Sequence, residues 1–405
     1  MAGQIEAPFL IIGGGIGGLS TALGVAETGR SVWVLEQAQE IGEVGAGIQL
    51  APNATAVLSR LGVMNEIAKV AVYPKRLVLM DAMTGKELSA LDLGDSFRQK
   101  YGYPYIVLHR ADLQQVLYAA CKANERITVL TSQAVKNVED TGEKARVTLA
   151  DGTVYTSEAV VGADGLHSIS RRLFSDDKPL CSRYVAYRGT IPMEEITAQA
   201  GTNLDDVIMW IGPNLHLVQY PVRRGELYNQ VVVFKSSRYK EDSDDWGTPE
   251  EIDEHFGKCC KTVRHAVTFI SRQRRWPMYD REPISNWVTG RVALLGDAAH
   301  PMLQYLAQGG CQALEDASCL ADMLHQYGDD IPKAFAAYQQ ERIPRTARVQ
   351  ATARTWGEII HAEDPIAILL RNTIMEQRDA QDLSYVDWLY GQRYGRSHPR
   401  PTTLV

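Results

Sequence analysis

Residues 294–301 read Leu-Leu-Gly-Asp-Ala-Ala-His-Pro, an apolar run that stops at Gly296 and places an acid, Asp297, at the carboxyl end of a strand. A carboxylate there is costly unless something polar meets it. That edge of an open α/β sheet is where ligands bind, and a ligand carrying a chain of hydroxyls would satisfy the acid. A second acid, Glu36, ends the strand pattern Ser-Val-Trp-Val-Leu. A carboxylate in that position accepts hydrogen bonds from ribose hydroxyls. A third, Asp164, opens the pattern D-G-x-x-S-x-x-R that closes on Arg171. Its plain structural role would be to cap the turn that follows, alone or with Ser168.

The elements that must position these acids are legible around them. Phe9–Ile12 reads as a buried parallel strand, followed by Gly13, Gly15 and Gly18 in the spacing G-x-G-x-x-G, a helix stopped by Gly29, and the strand ending at Glu36. Gly13 allows the turn, Gly15 lets a pyrophosphate approach the backbone, and Gly18 lets the helix pack on the strand. The helix N-terminus then holds phosphates. An acid at position 36 also disfavours a 2′-phosphate on the ribose. The chain carries one such fingerprint, so this site holds either a nicotinamide dinucleotide or FAD. The ribityl chain of FAD supplies the hydroxyls that Asp297 needs, and NAD has none. In residues 306–324, Gly309 and Gly310 allow close backbone approach before a helix, whose N-terminus stabilises negative charge on a flavin's N1–C2=O edge.

Composition bounds the remaining possibilities. The chain has 405 residues, 45% of them apolar and 22% charged, with net charge −7. These values fit a globular protein with a sizeable core and two domains. Without a long basic run, nucleic acid is not the expected partner. No apolar run reaches the ~20 residues that span a bilayer. The N-terminus lacks a basic region and enters a strand pattern directly, unlike a signal peptide. The six cysteines form no spaced framework, which points to a reduced, cytoplasmic protein and to no metal site.

The expected fold is mixed α/β, with a Rossmann-like dinucleotide-binding domain interleaved with a substrate domain on a mostly antiparallel sheet. Residues 1–75, 101–180 and 286–350 are assigned to the first and residues 76–100 and 181–285 to the second. Residues 351–405 form a helical region and a tail whose composition suggests poor order. Residues 75–93 read as a hairpin turning at Thr84-Gly85, and residues 145–164 as a hairpin turning at Asp151-Gly152 followed by a return to the first sheet. Residues 110–124 form an amphipathic helix. In the strand around Leu215–Val222, period two places His216, Val218 and Tyr220 on one face. Trp276, Trp287 and Trp356 read as core or interface, and His300-Pro301 as a structural turn.

Together with "HRADLQQVL" (109–117) and "YQQERIPRTARV" (338–349), these motifs resemble the class A flavoprotein aromatic hydroxylases, in order and spacing, over nearly the whole chain. The resemblance implies an enzyme that holds FAD, consumes NADH and O2, and hydroxylates a small aromatic acid through a flavin C4a-hydroperoxide, as a homodimer. It implies that Gly13, Gly15, Ile16, Gly17, Gly18, Glu36 and Gln37 bind the cofactor. Gly47, Gln114, Val135, Gly296, Asp297, Pro301, Gly309 and Gly310 are expected to do so as well. Arg110 is expected near the FAD phosphates, while Asp164 and Arg171 are expected to serve both FAD and reduced nicotinamide.

Within the family, residues 211–234, 276–291 and 296–307 look most like enzymes that convert 3-hydroxybenzoate to gentisate. There a histidine and a glutamine meet the substrate hydroxyl, and His216 and Gln304 match them. Tyr105, Tyr220 and Arg188 match substrate-binding positions. A salicylate or hydroxynicotinate hydroxylase is the alternative within the family. An FAD dehydrogenase is the alternative outside it, since it needs the nucleotide motifs without oxygen transfer.

Overall fold

The computed structural model describes residues 4–42, 46–196, 204–241, 243 and 245–392. The tail 393–405, expected to be poorly ordered, lies outside them. Phe9–Ile12 is buried on both faces and is the second central strand of a six-stranded sheet. Val32–Leu35 and Val160–Gly162 flank it in parallel. Ile127–Leu130 and Val292–Leu294 extend the parallel core, and Val288–Thr289 closes one edge in the antiparallel sense. The register aligns Ile12 with Leu35 and with Gly162, and Gly162 with Leu294. All four strands that precede the sequence motifs therefore end at one level, which brings Gly13, Glu36, Asp164 and Asp297 to one edge of the sheet.

The glycine fingerprint connects this sheet to the helix Ile16–Glu27. Gly13 sits at φ +106°, where a side chain is strained, and a Cβ on Gly18 would stand 1.9 Å from the Gly13 carbonyl. The turn and the close helix approach thus require these two glycines together. Packed beside this helix is Gly309–Tyr327, itself covered by the long helix Ile331–Ile360.

A second sheet has seven strands, with Leu180–Pro192, Leu227–Lys235, Leu215–Val222 and Val207–Gly212 at its centre. It is antiparallel except where Val207–Gly212 runs parallel to Arg76–Asp81. Arg76–Asp81 pairs with Glu87–Asp92 as the expected hairpin. The Asp151-Gly152 hairpin also forms, but its strands join a separate four-stranded sheet with Gln4–Ala7 before Val160–Gly162 returns to the first. Among the described residues no helix is long and apolar enough to cross a membrane.

Candidate active site

A cleft of about 1760 Å³ lies between the carboxyl edge of the six-stranded sheet and one face of the seven-stranded sheet. Pockets for one drug-sized ligand measure roughly 300–1,000 Å³, so this cleft has room for a dinucleotide and a second small molecule.

On the first wall, Gly15 is the N-cap of the helix Ile16–Glu27, and a Cβ built there meets no atom within 4 Å. The first amides of the helix therefore open onto free space. Glu36 accepts from the Gly14 amide at 2.7 Å and the Ala38 amide at 2.8 Å, which fixes its carboxylate at the cleft wall. Ile16, Gly17, Gln37, Arg110 and Val135 line the same side. Gly47 also lines the cleft; its amide donates to Asn229 Oδ1 at 2.6 Å, and a Cβ there would strike the Tyr220 ring.

Asp297 is exposed into the cleft and makes no hydrogen bond among the described residues. Gly309 and Gly310 stand beside it at the start of a 19-residue helix. The buried acid of this motif is Asp316. Its Oδ2 accepts from the Gly296 amide at 2.9 Å and meets His300 Nε2 at 2.6 Å, and its Oδ1 meets Arg342 Nε at 2.6 Å. Glu315 meets Arg342 Nη1 at 2.5 Å, Arg345 at 2.6 Å and Asn53 at 2.6 Å. Asn53 and Gln312 both donate to Gln308 Oε1, at 3.0 Å each, so that Gln308 Nε2 is left buried and unpartnered at the cleft. An exposed acid, an orphaned amide and two uncapped helix N-termini are the groups that a hydroxyl- and phosphate-bearing dinucleotide would satisfy. The residues present fit FAD.

The opposite wall is a row across five strands, in which register aligns Arg188 with Val231, then Val218, Met209 and Leu79. His216 and Tyr220 lie two residues on either side of Val218, and all three line the cleft as period two requires. His216 is buried, its Nδ1 2.7 Å from His361 Nε2. Burial first, and His361 second, hold its pKa well below the ordinary value. The imidazole is therefore neutral, with one ring nitrogen able to accept a hydrogen bond, and a lasting positive charge on it is disfavoured. Arg188 donates to Gln304 Oε1 at 2.6 Å, while its Nε is sealed from solvent without a partner. No acid pairs with Arg188 among the described residues. Tyr305, next to Gln304, sets its ring edge against His216 at 5.6 Å. It fits because Gly357 of the long helix has no side chain; a Cβ there would lie 2.4 Å from the Tyr305 ring. Tyr105 donates to Gln49 Oε1 at 2.7 Å.

Four expected cofactor residues do not line the cleft. Gly18 packs on the turn; Gln114 is buried behind it, donating to the Gly14 carbonyl at 3.0 Å. Pro301 is buried, and its carbonyl accepts from Gln350. Arg171 is 1% exposed, chelates Asp177 and donates to the carbonyls of Ala298 and Ala299 at 3.0 and 2.7 Å. It ties the D-G-x-x-S-x-x-R turn to the Gly296-Asp297 turn from behind. Asp164 does reach the cleft, but its carboxylate is occupied by Ser168, Ser170 and the amides of Ile169 and Ser170, the capping role named as the plain alternative. Two tryptophans correct the sequence reading: Trp276 and Trp356 line the cleft, and the Trp276 ring carries Arg274 at 5.1 Å and Arg188 at 5.8 Å. Trp287 is core, and His300 is structural through Asp316. His361, Gln49 and Gln308 were not anticipated.

A family model described as an FAD binding domain matches residues 6–353. Over 393 residues the chain is 39% identical to a 3-hydroxybenzoate 6-hydroxylase of Polaromonas naphthalenivorans (strain CJ2), covering 96% of this chain and 97% of that one. It is 35% identical over 387 residues to a 3-amino-4-hydroxybenzoate 2-monooxygenase of Streptomyces cremeus, covering 95% of each. The solved structure of Klebsiella pneumoniae HpxO complexed with FAD and uric acid has the same fold, with TM-score 0.83 at 24% identity over 95% of this chain and 96% of that one. The chain belongs to the class A flavoprotein hydroxylases, the flavin-dependent aromatic monooxygenases.

Replacing Asp297 by alanine removes the one cleft acid that, among the described residues, has no hydrogen-bond partner. Asp297→Ala is expected to purify folded, with native circular dichroism, but largely free of FAD. The ratio of visible flavin absorbance to protein absorbance measures this, and wild-type flavin content in the variant would overturn the assignment of Asp297.

Proposed function

We propose that this chain is an NADH-consuming hydroxylase of 3-hydroxybenzoate that produces 2,5-dihydroxybenzoate (gentisate), one oxygen atom of O2 entering para to the existing hydroxyl and the other leaving as water. The observation that carries this reading is the wall formed by His216, Gln304 and Arg188. It offers a neutral base, an amide and an unpaired guanidinium beside aromatic rings, the complement of a phenol that also carries a carboxylate. The identity to the 3-hydroxybenzoate 6-hydroxylase above supports the same substrate.

FAD, when bound, supplies the reduced ring on which O2 is activated. The chain's residues prepare the substrate. Nε2 of His216 takes the phenol proton, which raises electron density at the para carbon. Gln304, held by Arg188, orients the same hydroxyl. Arg188 takes the carboxylate. Tyr105, bonded to Gln49, and Tyr220 close the pocket. The row Leu79, Met209, Val218 and Val231 excludes water, so that activated oxygen reaches the ring rather than being lost as peroxide. A homodimer and a cytoplasmic setting belong to this reading. The helix Pro365–Glu376, which exposes Ile366, Leu369, Leu370 and Ile374 along one face, supports association of two copies.

The test is NADH oxidation against a panel of hydroxy- and aminohydroxybenzoates, salicylate and 6-hydroxynicotinate, with products identified. Gentisate from 3-hydroxybenzoate supports the proposal, and preferred turnover of another member replaces it. His216→Ala is expected to keep substrate-stimulated NADH oxidation but to release most of the oxygen as hydrogen peroxide. General-base contributions are about 10²–10⁴-fold, so product per NADH should fall at least tenfold. Wild-type coupling in this variant would make His216 a strand residue only.

A further inference from the structure

His361 follows the last turn of the long helix Ile331–Ile360 and does not itself line the cleft. Its Nε2 meets Nδ1 of His216 at 2.7 Å, and the two rings stack with centroids 5.0 Å apart at 22°. At this distance the nitrogens share one hydrogen. The ring is held on every side. Tyr305 sets its edge against it at 5.1 Å, Tyr184 stacks on it at 4.5 Å, and its carbonyl accepts from the Asn214 amide at 3.1 Å. This precision is given to a partner with no charge. The structural histidine of the same protein, His300, is held by a carboxylate instead. A carboxylate partner would orient His216 and trap its charge; an imidazole can take a proton on one nitrogen and release another from the second.

The second nitrogen of His361, Nδ1, has no partner among the described residues and is not among the buried polar atoms sealed from solvent. The groups facing His361 are Tyr184 of the strand Leu180–Pro192, Tyr305, Lys235 with its partner Glu363, and Arg371 of the helix Pro365–Glu376. Burial, with Arg371 and Lys235 behind it, pushes the His361 pKa down to about 3. Protonated His361 is therefore transient, and a proton arriving there moves on.

We infer that His361 is a positioning and proton-relay residue that connects the substrate hydroxyl, through His216, to solvent beyond the end of the long helix Ile331–Ile360. The phenol O–H bond breaks and its proton joins Nε2 of His216. The Nδ1 proton of His216 passes to Nε2 of His361, and the Nδ1 proton of His361 passes to water. Each imidazole gains one N–H bond and loses one, and one proton leaves the site. When the product oxygen is reprotonated the hops run backwards and restore both tautomers. The inference rests on the hydroxylation proposed above.

Two variants at this position test it in the FAD-loaded enzyme. His361→Gln keeps an oxygen that accepts from His216 Nδ1 but cannot pass a proton; His361→Ala removes both functions. Product formed per NADH is expected to fall about tenfold in both near neutral pH. The deficit should shrink as pH rises toward about 10, where a free phenol ionises without help. Added imidazole should restore part of the coupling to His361→Ala. Wild-type coupling in His361→Gln across this range, or a deficit independent of pH, would overturn the relay. If His361→Ala fails to hold FAD, His361→Gln decides alone. If the wild-type enzyme hydroxylates no member of the panel, the proposed function falls first and this inference with it.

Discussion

Arg342→Met is expected to lower the unfolding free energy by about 3–5 kcal/mol, the cost of leaving buried carboxylates without their cation. Whole domains are stable by only about 5–15 kcal/mol, so this one side chain decides much of the margin. Arg342 is fully buried and bonds Asp316 Oδ1 at 2.6 Å, Glu315 Oε2 at 2.5 Å and Gln312 Oε1 at 2.8 Å. Burial pushes both carboxyls up. For Glu315, Arg342 and Arg345 outweigh it; for Asp316, His300 and Arg342 do so; both pKa values end below the ordinary range. A lowered folded-state pKa contributes stability that is present above the unfolded value, about 4, and is lost as pH falls through the lowered value. Wild-type stability should therefore drop below about pH 4. In Arg342→Met the two carboxyls are relieved less, their pKa values rise, and the acid loss should begin at higher pH. Denaturant melts at several pH values measure both effects. A loss under about 1 kcal/mol at neutral pH, with an unchanged acid limb, would refute this account. Because Asp316 also holds the Gly296 amide and His300, FAD should dissociate more readily from the folded variant as well.

The edge that carries Gly13, Glu36 and Asp297 was legible because each motif is local: a few residues of strand, a turn, and a residue whose chemistry is unusual at a strand end. Period two was equally local, and it placed His216, Val218 and Tyr220 on one face. The failures have a common cause. Arg171 reads as a ligand residue from its motif, yet it does not line the cleft and has a closer customer inside the chain, while Asp164 of the same motif lines the cleft with its carboxylate already occupied. Asp164 caps the following turn, and Arg171 reaches the carbonyls of Ala298 and Ala299, 127 and 128 residues away in sequence. His361 lies 145 residues from His216, and no periodicity registers a pair across that distance. The one sequence signal was weak: a histidine at the end of a long helical pattern that carries Arg342 and Arg345 at its centre. Trp276 reads from the sequence as core or interface; its place on the cleft wall, with Arg188 and Arg274 over its ring, comes from packing that no local pattern registers.

Arg188 carries the largest expected effect on substrate recognition. It is a guanidinium in a partly apolar cleft, its Nη2 on Gln304, its Nε without a partner and its plane over Trp276. Burial, with Arg110 adding to it, disfavours its charge, and no acid among the described residues offsets that cost. A substrate carboxylate would supply both the missing charge and the missing acceptor. Truncating one member of such a desolvated pair costs about 2–5 kcal/mol, which is roughly 30-fold to several-thousand-fold. For Arg188→Ala, kcat/KM with 3-hydroxybenzoate is expected to fall within that range, chiefly through KM. Arg188→Lys should recover little, because an ammonium cannot reach the carboxylate while keeping the planar contacts to Gln304 and Trp276. The control is a phenol without a carboxylate. It never used the charge, so Arg188→Ala should stimulate its NADH oxidation as well as wild type does, or better, since an unpaired cation no longer has to be covered. If Arg188→Ala keeps kcat/KM for 3-hydroxybenzoate within threefold, or loses both substrates equally, Arg188 does not hold the carboxylate and its link to Gln304 is only structural.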